Sequence, residues 1–358
     1  MRILISGATG QLGHSLVDHL ITEKIGSPQD IICLVRNPNQ ASDLAQNNVT
    51  LIQGTLEDPS KLLNLLEEYH IEIIFHCAAV SDPSLNKELI FSTNIDGSDT
   101  ILNAFIHSHA YCFVFCSSIS VYKSYLKANG LLITEEADIG SLTKGDPYAI
   151  SKRITEQEII HLQKVFPEKQ FIIARIGPIC GTHDRIILPK LVDIMSKKYL
   201  PKLIDKGYRK ISIIAPEDVA RAIVFLARNS HLHSHSIPSL PIYNVTGEMV
   251  TYKELFDCVS LYYGIGYSNF SISFWIFQAL RPIFWIIRGL FRKNRFVQSV
   301  LSKTAIAFFS NSYQYDRSKI ESLGFEFRYT PLQSIQMGLD VLDPNKEIIQ
   351  NCKKERLM

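Results

Sequence analysis

The chain opens MRILISGATGQLG (residues 1–13), and this stretch decides the architecture. Arg2 to Ser6 is a short apolar run of strand type, after which Gly7, Gly10 and Gly13 recur at a spacing of three. Leu12, Leu16, Val17 and Leu20 then repeat with the period of a helix. A strand that turns through glycines into a helix leaves free backbone N–H groups and the positive end of the helix dipole facing one point, which suits a phosphate. Gly7 permits the tight turn, Gly10 lets the backbone approach a pyrophosphate, and Gly13 lets the helix pack close on the strand. The reading is a dinucleotide site, with Gln11 and Leu12 at the head of the helix; a plain strand–helix turn is the alternative.

Working outward, short apolar runs at about 2–6, 30–36, 49–53, 71–76, 111–118 and 170–176 are separated by helical stretches. This alternation predicts an α/β fold, a parallel sheet covered on both faces. Right-handed crossovers then make it a Rossmann-type doubly wound sheet with its ligand across the C-terminal strand ends. Of 358 residues, 46% are apolar and 20% charged, enough to bury a sizeable core. The net charge of +2 gives no global reason to expect a nucleic acid partner. Seven cysteines, Cys33, Cys77, Cys112, Cys116, Cys180, Cys258 and Cys352, lie mostly in apolar runs and behave as small hydrophobes. An odd count without a secretory signal points to a reducing, cytoplasmic setting. No metal site is expected: Cys112 and Cys116 lack a matching His/Cys pair, and His231, His233 and His235 alternate in what reads as a polar loop.

A second stretch, DPYAISK (146–152), carries the chemistry. Tyr148 and Lys152 stand four apart, so on a helix they are neighbours about 5–6 Å apart at Cβ. A cation that close favours the phenolate. Bringing a tyrosine from about 10 to near 7 requires roughly 4 kcal/mol. A solvated Tyr/Lys pair on an amphipathic helix is the alternative.

GxxGxxG together with YxxxK resembles the short-chain dehydrogenase/reductase superfamily, in its extended branch, the NAD-dependent epimerase/dehydratase family. The resemblance implies hydride transfer between a nicotinamide and a carbonyl or alcohol carbon. Tyr148 would donate or accept the oxygen-bound proton, and Lys152 would lower its pKa and hold the nicotinamide ribose. In VFCSSISVY (114–122), Ser118 would position the oxygen, with Ser117 as the other candidate. In STNIDGS (92–98), Asn94 would support the lysine through a helix irregularity and water. QGTLEDP (53–59) resembles the adenine loop, placing Thr55 and Leu56 there, although Thr55 stands where an Asp is usual. IIFHCAAVSD (73–82) resembles the fourth-strand motif, whose small Cys77, Ala78 and Ala79 let the cofactor lie across the sheet edge. After DIICLVR (30–36), the acid of NAD-preferring members is missing and Arg36 can pair with a 2′-phosphate. NADP(H) is therefore the preferred cofactor, with NAD(H) the alternative, and Arg36 as a solvated strand-end residue the plain one. The expected division is a nucleotide-binding part, 1–177, and a small C-terminal substrate-binding lobe, 178–358, that interleaves with the sheet. In PEDVARAI (216–223), Asp218 reads as a structural residue at a helix start.

Departures narrow the activity. Ile119 and Ser120 follow Ser118 where sugar dehydratases have an Asp-Glu pair. Ile211 stands where nucleotide-sugar epimerases hold the diphosphate with an Arg, and Lys123 replaces their Gly. From Cys258 to Tyr315 there is no acidic residue, and both tryptophans, Trp275 and Trp285, fall in this segment. Arg281, Arg288, Arg292 and Arg295 form one helical stripe, with Phe284, Ile287 and Phe291 away from it. Basic residues opposite apolar ones describe a helix lying in a membrane surface, here 273–296; internal packing or a homodimer interface are the alternatives. A similar aromatic, basic insertion occurs in the 3β-hydroxysteroid dehydrogenase-like subgroup, which handles apolar alcohols and ketones. The expected substrate is a small apolar molecule. A nucleotide-sugar epimerase and a non-catalytic NADP(H)-binding regulator are the other readings.

Overall fold

Each of the six apolar runs forms a strand: β1 (Ile3–Ser6), β2 (Ile31–Val35), β3 (Thr50–Gln53), β4 (Ile73–His76), β5 (Cys112–Ser118) and β6 (Gln170–Ile176). A seventh, β7 (Ile242–Val245), comes from the segment assigned to the C-terminal lobe. In the computed structural model, which describes residues 1–82, 85–123, 131–196, 203–229, 241–266, 271–291, 297 and 312–348, these make one sheet in the order β7-β6-β5-β4-β1-β2-β3. Every pairing is parallel. The order reverses between β1 and β4, and that switch point is where a doubly wound sheet opens a crevice for a ligand.

The helices are α1 (Gln11–Thr22), α2 (Ser42–Gln46), α3 (Pro59–Glu68), α4 (Lys87–Phe91), α5 (Gly97–His107), α6 (Pro147–Val165), α7 (Ile187–Ser196), α8 (Pro216–Asn229), α9 (Tyr252–Tyr263), α10 (Phe274–Ala279), α11 (Arg281–Leu290), α12 (Ser318–Glu321) and α13 (Pro331–Leu342). Successive strand residues face opposite sides of a sheet, and here both sides are apolar. Ile3, Ile5, Ile31 and Cys33 pack with Leu16 and Val17 of α1 and Val219 and Ile223 of α8. Leu4, Ile32, Ile74 and Phe113 pack with Leu62 of α3, Phe105 of α5 and Ile159 of α6. A separate apolar cluster joins Leu188 and Val192 of α7, Phe256 and Val259 of α9, and Ile335 and Leu339 of α13.

The basic, aromatic segment differs from expectation. Pro282 starts α11 afresh, so the stretch is two short helices and not one amphipathic rod. They pack through Phe277 and Phe284, with ring centroids 5.3 Å apart, which turns Phe284 inward. Ile287 and Arg288 are half-buried too. The apolar residues that face outward are instead Ile283, Trp285, Ile286 and Leu290, with Phe291 and, on α10, Trp275 and Ile276. Arg292, Arg295, His231, His233, His235 and Cys352 lie outside the described residues. No described helix is long and apolar enough to cross a membrane.

Candidate active site

The glycine turn is built by contact. Gly7 has a φ of +74°, and a Cβ there would lie 2.6 Å from the backbone N of Ala78. A Cβ at Gly13 would lie 2.3 Å from the carbonyl of Gly7. Only glycine allows the end of β1, the end of β4 and the first turn of α1 to press together in this way. Gly10, exposed at the head of α1, donates its N–H to the Gly7 carbonyl at 3.0 Å. A cradle so shaped fits a pyrophosphate at a helix N-terminus. Cys77 and Ala78 are half-buried and Ala79 exposed just beyond β4. Leu12 packs on the core, whereas the Gln11 side chain is engaged, donating to the Thr182 carbonyl at 3.0 Å. Leu56 packs over Gly97, while Thr55 is exposed and bonds Glu57. Arg36 is exposed at the end of β2.

Asp146 starts α6, its carboxylate accepting the N–H groups of Tyr148 and Ala149, with Pro147 in the first turn. That cap sets Tyr148 in the first turn and Lys152 one turn later. Lys152 is only 3% exposed. Its ammonium donates to the Cys116 carbonyl at 2.7 Å, lies 4.5 Å over the Phe115 ring, and is 5.8 Å from the centre of the Tyr148 ring. Ser118 ends β5, with its hydroxyl near the Tyr148 phenol and accepting the Ser120 N–H. Ser117 is committed elsewhere, donating to the buried Glu156. The irregularity at Asn94 is a π-helical turn, Ser92–Asp96, between α4 and α5. Asn94 is 2% exposed. It clasps the Val80 backbone with both amide atoms, and donates to the Ser151 hydroxyl at 3.1 Å. It therefore reaches the residue beside Lys152 and not the ammonium itself.

The electrostatics run opposite to the expectation from spacing. Burial pushes the Tyr148 phenol up to about 12, against a smaller lowering by the nearby Ser118 hydroxyl. Burial likewise brings Lys152 down to about 8. The physical reason is that the ammonium turns to a carbonyl 36 residues away in sequence, so desolvation outweighs its pull on the phenol.

Residues not found by motif hold this site in place. Arg175 of β6 and Glu156 of α6, both buried, pair at 2.8 Å. Arg175 also donates to the Glu135 carbonyl and stacks on Tyr122, whose hydroxyl bonds Asn244 of β7. No short-range spacing could have revealed a network drawn from β5, β6, β7 and α6. Asp218 holds a structural place, though not as a helix cap. It is buried, pairs with Arg221, and accepts the N–H groups of Arg328 and Tyr329, strapping that loop to α8.

What such an arrangement defines is a class, the extended short-chain dehydrogenases/reductases, enzymes that work through a nicotinamide cofactor. Residues 3–245 match the model of the NAD dependent epimerase/dehydratase family, and the chain belongs to that family. It is 22% identical over 281 residues to a sterol-4-alpha-carboxylate 3-dehydrogenase (decarboxylating) of Mus musculus, covering 75% of this chain and 73% of that one. It is 24% identical over 211 residues to a UDP-glucose 4-epimerase of Neisseria gonorrhoeae, covering 56% and 60%. A dTDP-glucose 4,6-dehydratase of Streptomyces venezuelae, solved with NAD bound, shares the fold with a TM-score of 0.71 at 18% identity, over 98% of this chain and 100% of that one.

Proposed function

We propose that this enzyme interconverts an alcohol and a ketone on a small apolar substrate. The observation that carries the substrate class is the mainly apolar lining of a small pocket that begins at Ile119, the residue after Ser118. Ile119, Pro178, Ile211, Tyr313 and Tyr315 line it, together with Lys210 and Ser212. Ile211 stands where a nucleotide-sugar epimerase would need an arginine for a diphosphate. The mouse relative is named for a sterol, which supports the same reading.

A nicotinamide cofactor, when bound, supplies or accepts the hydride. Gly7, Gly10, Gln11, Leu12 and Gly13 would hold its pyrophosphate, Thr55 and Leu56 its adenine, and Cys77, Ala78 and Ala79 its course along the sheet edge. Tyr148 exchanges the proton with the substrate oxygen, Ser118 positions that oxygen, Lys152 orients and charges the site, and Asn94 fixes the turn beside Lys152. Arg36, exposed at the end of β2, favours NADP(H) through a 2′-phosphate. NAD(H) is the alternative, as in the Streptomyces enzyme's complex. The 1–177 part would serve the cofactor and 178–358 the substrate, with β7 returned to the sheet. The outward Trp275, Trp285 and Ile286 suit reversible contact with a membrane surface in a cytoplasmic setting, a homodimer being the other use of that face.

The test is NADPH consumption by the purified chain with a panel of apolar ketones, steroids among them, beside UDP-glucose and UDP-galactose. Consumption with a ketone is expected. Interconversion of the sugars without net change in cofactor would establish the epimerase reading, which the Neisseria relative favours.

A further inference from the structure

One turn into α1, beyond the glycine cradle, is a cluster that the proposed chemistry does not use. His14 and Asp18 share a face of α1, and His183 approaches from the loop after β6. His183 Nε2 lies 3.1 Å from Asp18 Oδ2, and His14 Nδ1 lies 3.5 Å from the same oxygen. The two imidazole rings stack with centroids 4.0 Å apart. His14 is only 6% exposed, and its Nδ1 is buried with no hydrogen-bond partner. Its other nitrogen, Nε2, sits 2.8 Å from Asp43 Oδ2, at the start of α2. With Asp43 beside Nε2, Nδ1 is the nitrogen left to meet a proton or a metal ion next to Asp18. An imidazole fixed by a carboxylate on one nitrogen and open on the other is the arrangement found around metal-bound histidine.

We propose that His14 Nδ1, His183 Nε2 and Asp18 Oδ2 bind a zinc ion, with Asp43 orienting His14. Zinc bonds of about 2.0–2.2 Å in tetrahedral geometry place neighbouring ligand atoms about 3.3 Å apart. The two ligand distances to Asp18 bracket that spacing, and all three donor atoms lie within 4.8 Å of one another. Two imidazoles and one carboxylate suit zinc better than calcium or magnesium, which take oxygen ligands. Asp18 and His183 are partly exposed, so water can fill the fourth position. The ion would tie α1 to the loop that leads from the sheet into the C-terminal part, beside the Gln11–Thr182 bond.

The test uses the full chain, free of any affinity tag, stripped with a chelator and titrated calorimetrically with zinc chloride. One equivalent should bind and raise the melting temperature. His183→Gln should weaken zinc binding at least about 100-fold, and Asp43→Asn about 10-fold. Cobalt substituted for zinc should give the visible absorption of a four-coordinate site, absent from the His183→Gln protein. Binding of less than half an equivalent to the wild-type chain would overturn the proposal and leave a bare ion-pair cluster. So would zinc affinity within threefold of wild type in His183→Gln, which would place the metal elsewhere. The wild-type stoichiometry and the cobalt spectrum decide the matter even if a variant fails to fold.

Discussion

With the phenol of Tyr148 held up at about 12 and the ammonium of Lys152 brought down to about 8, the pair stands at neutral pH as a protonated phenol near a buried cation. That is the state required to give a proton to a carbonyl oxygen; the phenolate needed for the reverse reaction requires further positive charge, such as an oxidised nicotinamide ring would bring. Tyr148→Phe should therefore cut turnover at least about 100-fold while leaving cofactor affinity nearly intact, the scale of a lost general acid. Steady-state rates with calorimetric cofactor binding check this, and turnover within a few-fold of wild type would remove Tyr148 from its role. Arg36→Ala should bring NADPH affinity down to that for NADH, because only the former carries the 2′-phosphate; equal affinities in the wild-type protein would refute the preference. The four-residue spacing made the pair legible in the sequence. The direction of its titration was not legible, because the carbonyl that holds Lys152 belongs to Cys116, far away in the chain.

Among the elements, α6 and β6 are joined by the Glu156–Arg175 pair, which is sealed from water and further tied by Ser117. Removing one partner of such a pair strands a buried charge. Glu156→Ala should lower the unfolding free energy by roughly 3–5 kcal/mol, measured by urea denaturation. A loss under about 1 kcal/mol would mean that water enters to solvate Arg175. For α10 and α11, the outward face differs from the sequence reading: the break at Pro282 was a sequence signal left unused, whereas the Phe277–Phe284 contact is a tertiary fact. The membrane prediction moves with that face. Wild-type protein should float with anionic vesicles at low salt, and Trp275→Ser combined with Trp285→Ser should release it, as those exposed rings provide the apolar contact. Recovery of the wild type in the soluble fraction would instead assign the face to a homodimer.

At the scale of the whole molecule, six strands were legible because a parallel sheet buried on both faces writes itself as unbroken apolar runs. β7 was not, because its four residues sit among turn signals and its place beside β6 is set only by the long return of the chain. Nor did any pattern mark His76, fully enclosed at the end of β4. Its Nδ1 lies 2.7 Å from the Ser6 hydroxyl and its Nε2 2.9 Å from that of Ser98, which itself donates to the Asn94 carbonyl. That chain of bonds assigns a neutral imidazole with its proton on Nε2. Burial, with a smaller push from Lys152, lowers its pKa to about 3. Between that value and the ordinary 6.5 the unfolded chain takes up a proton that the folded one refuses, so this contribution to stability is full above about pH 6.5 and is lost as the pH falls toward 3. Acidifying from pH 7 to 4 should remove about 3 kcal/mol through this group alone. Urea unfolding of the wild type and of His76→Asn at the two pH values isolates it, since every other acid-sensitive group is common to both proteins. The wild type should lose more stability on acidification than His76→Asn by about that amount; parallel losses would mean that His76 is protonated within the fold, and the neutral link from sheet to π-helical turn would have to be abandoned.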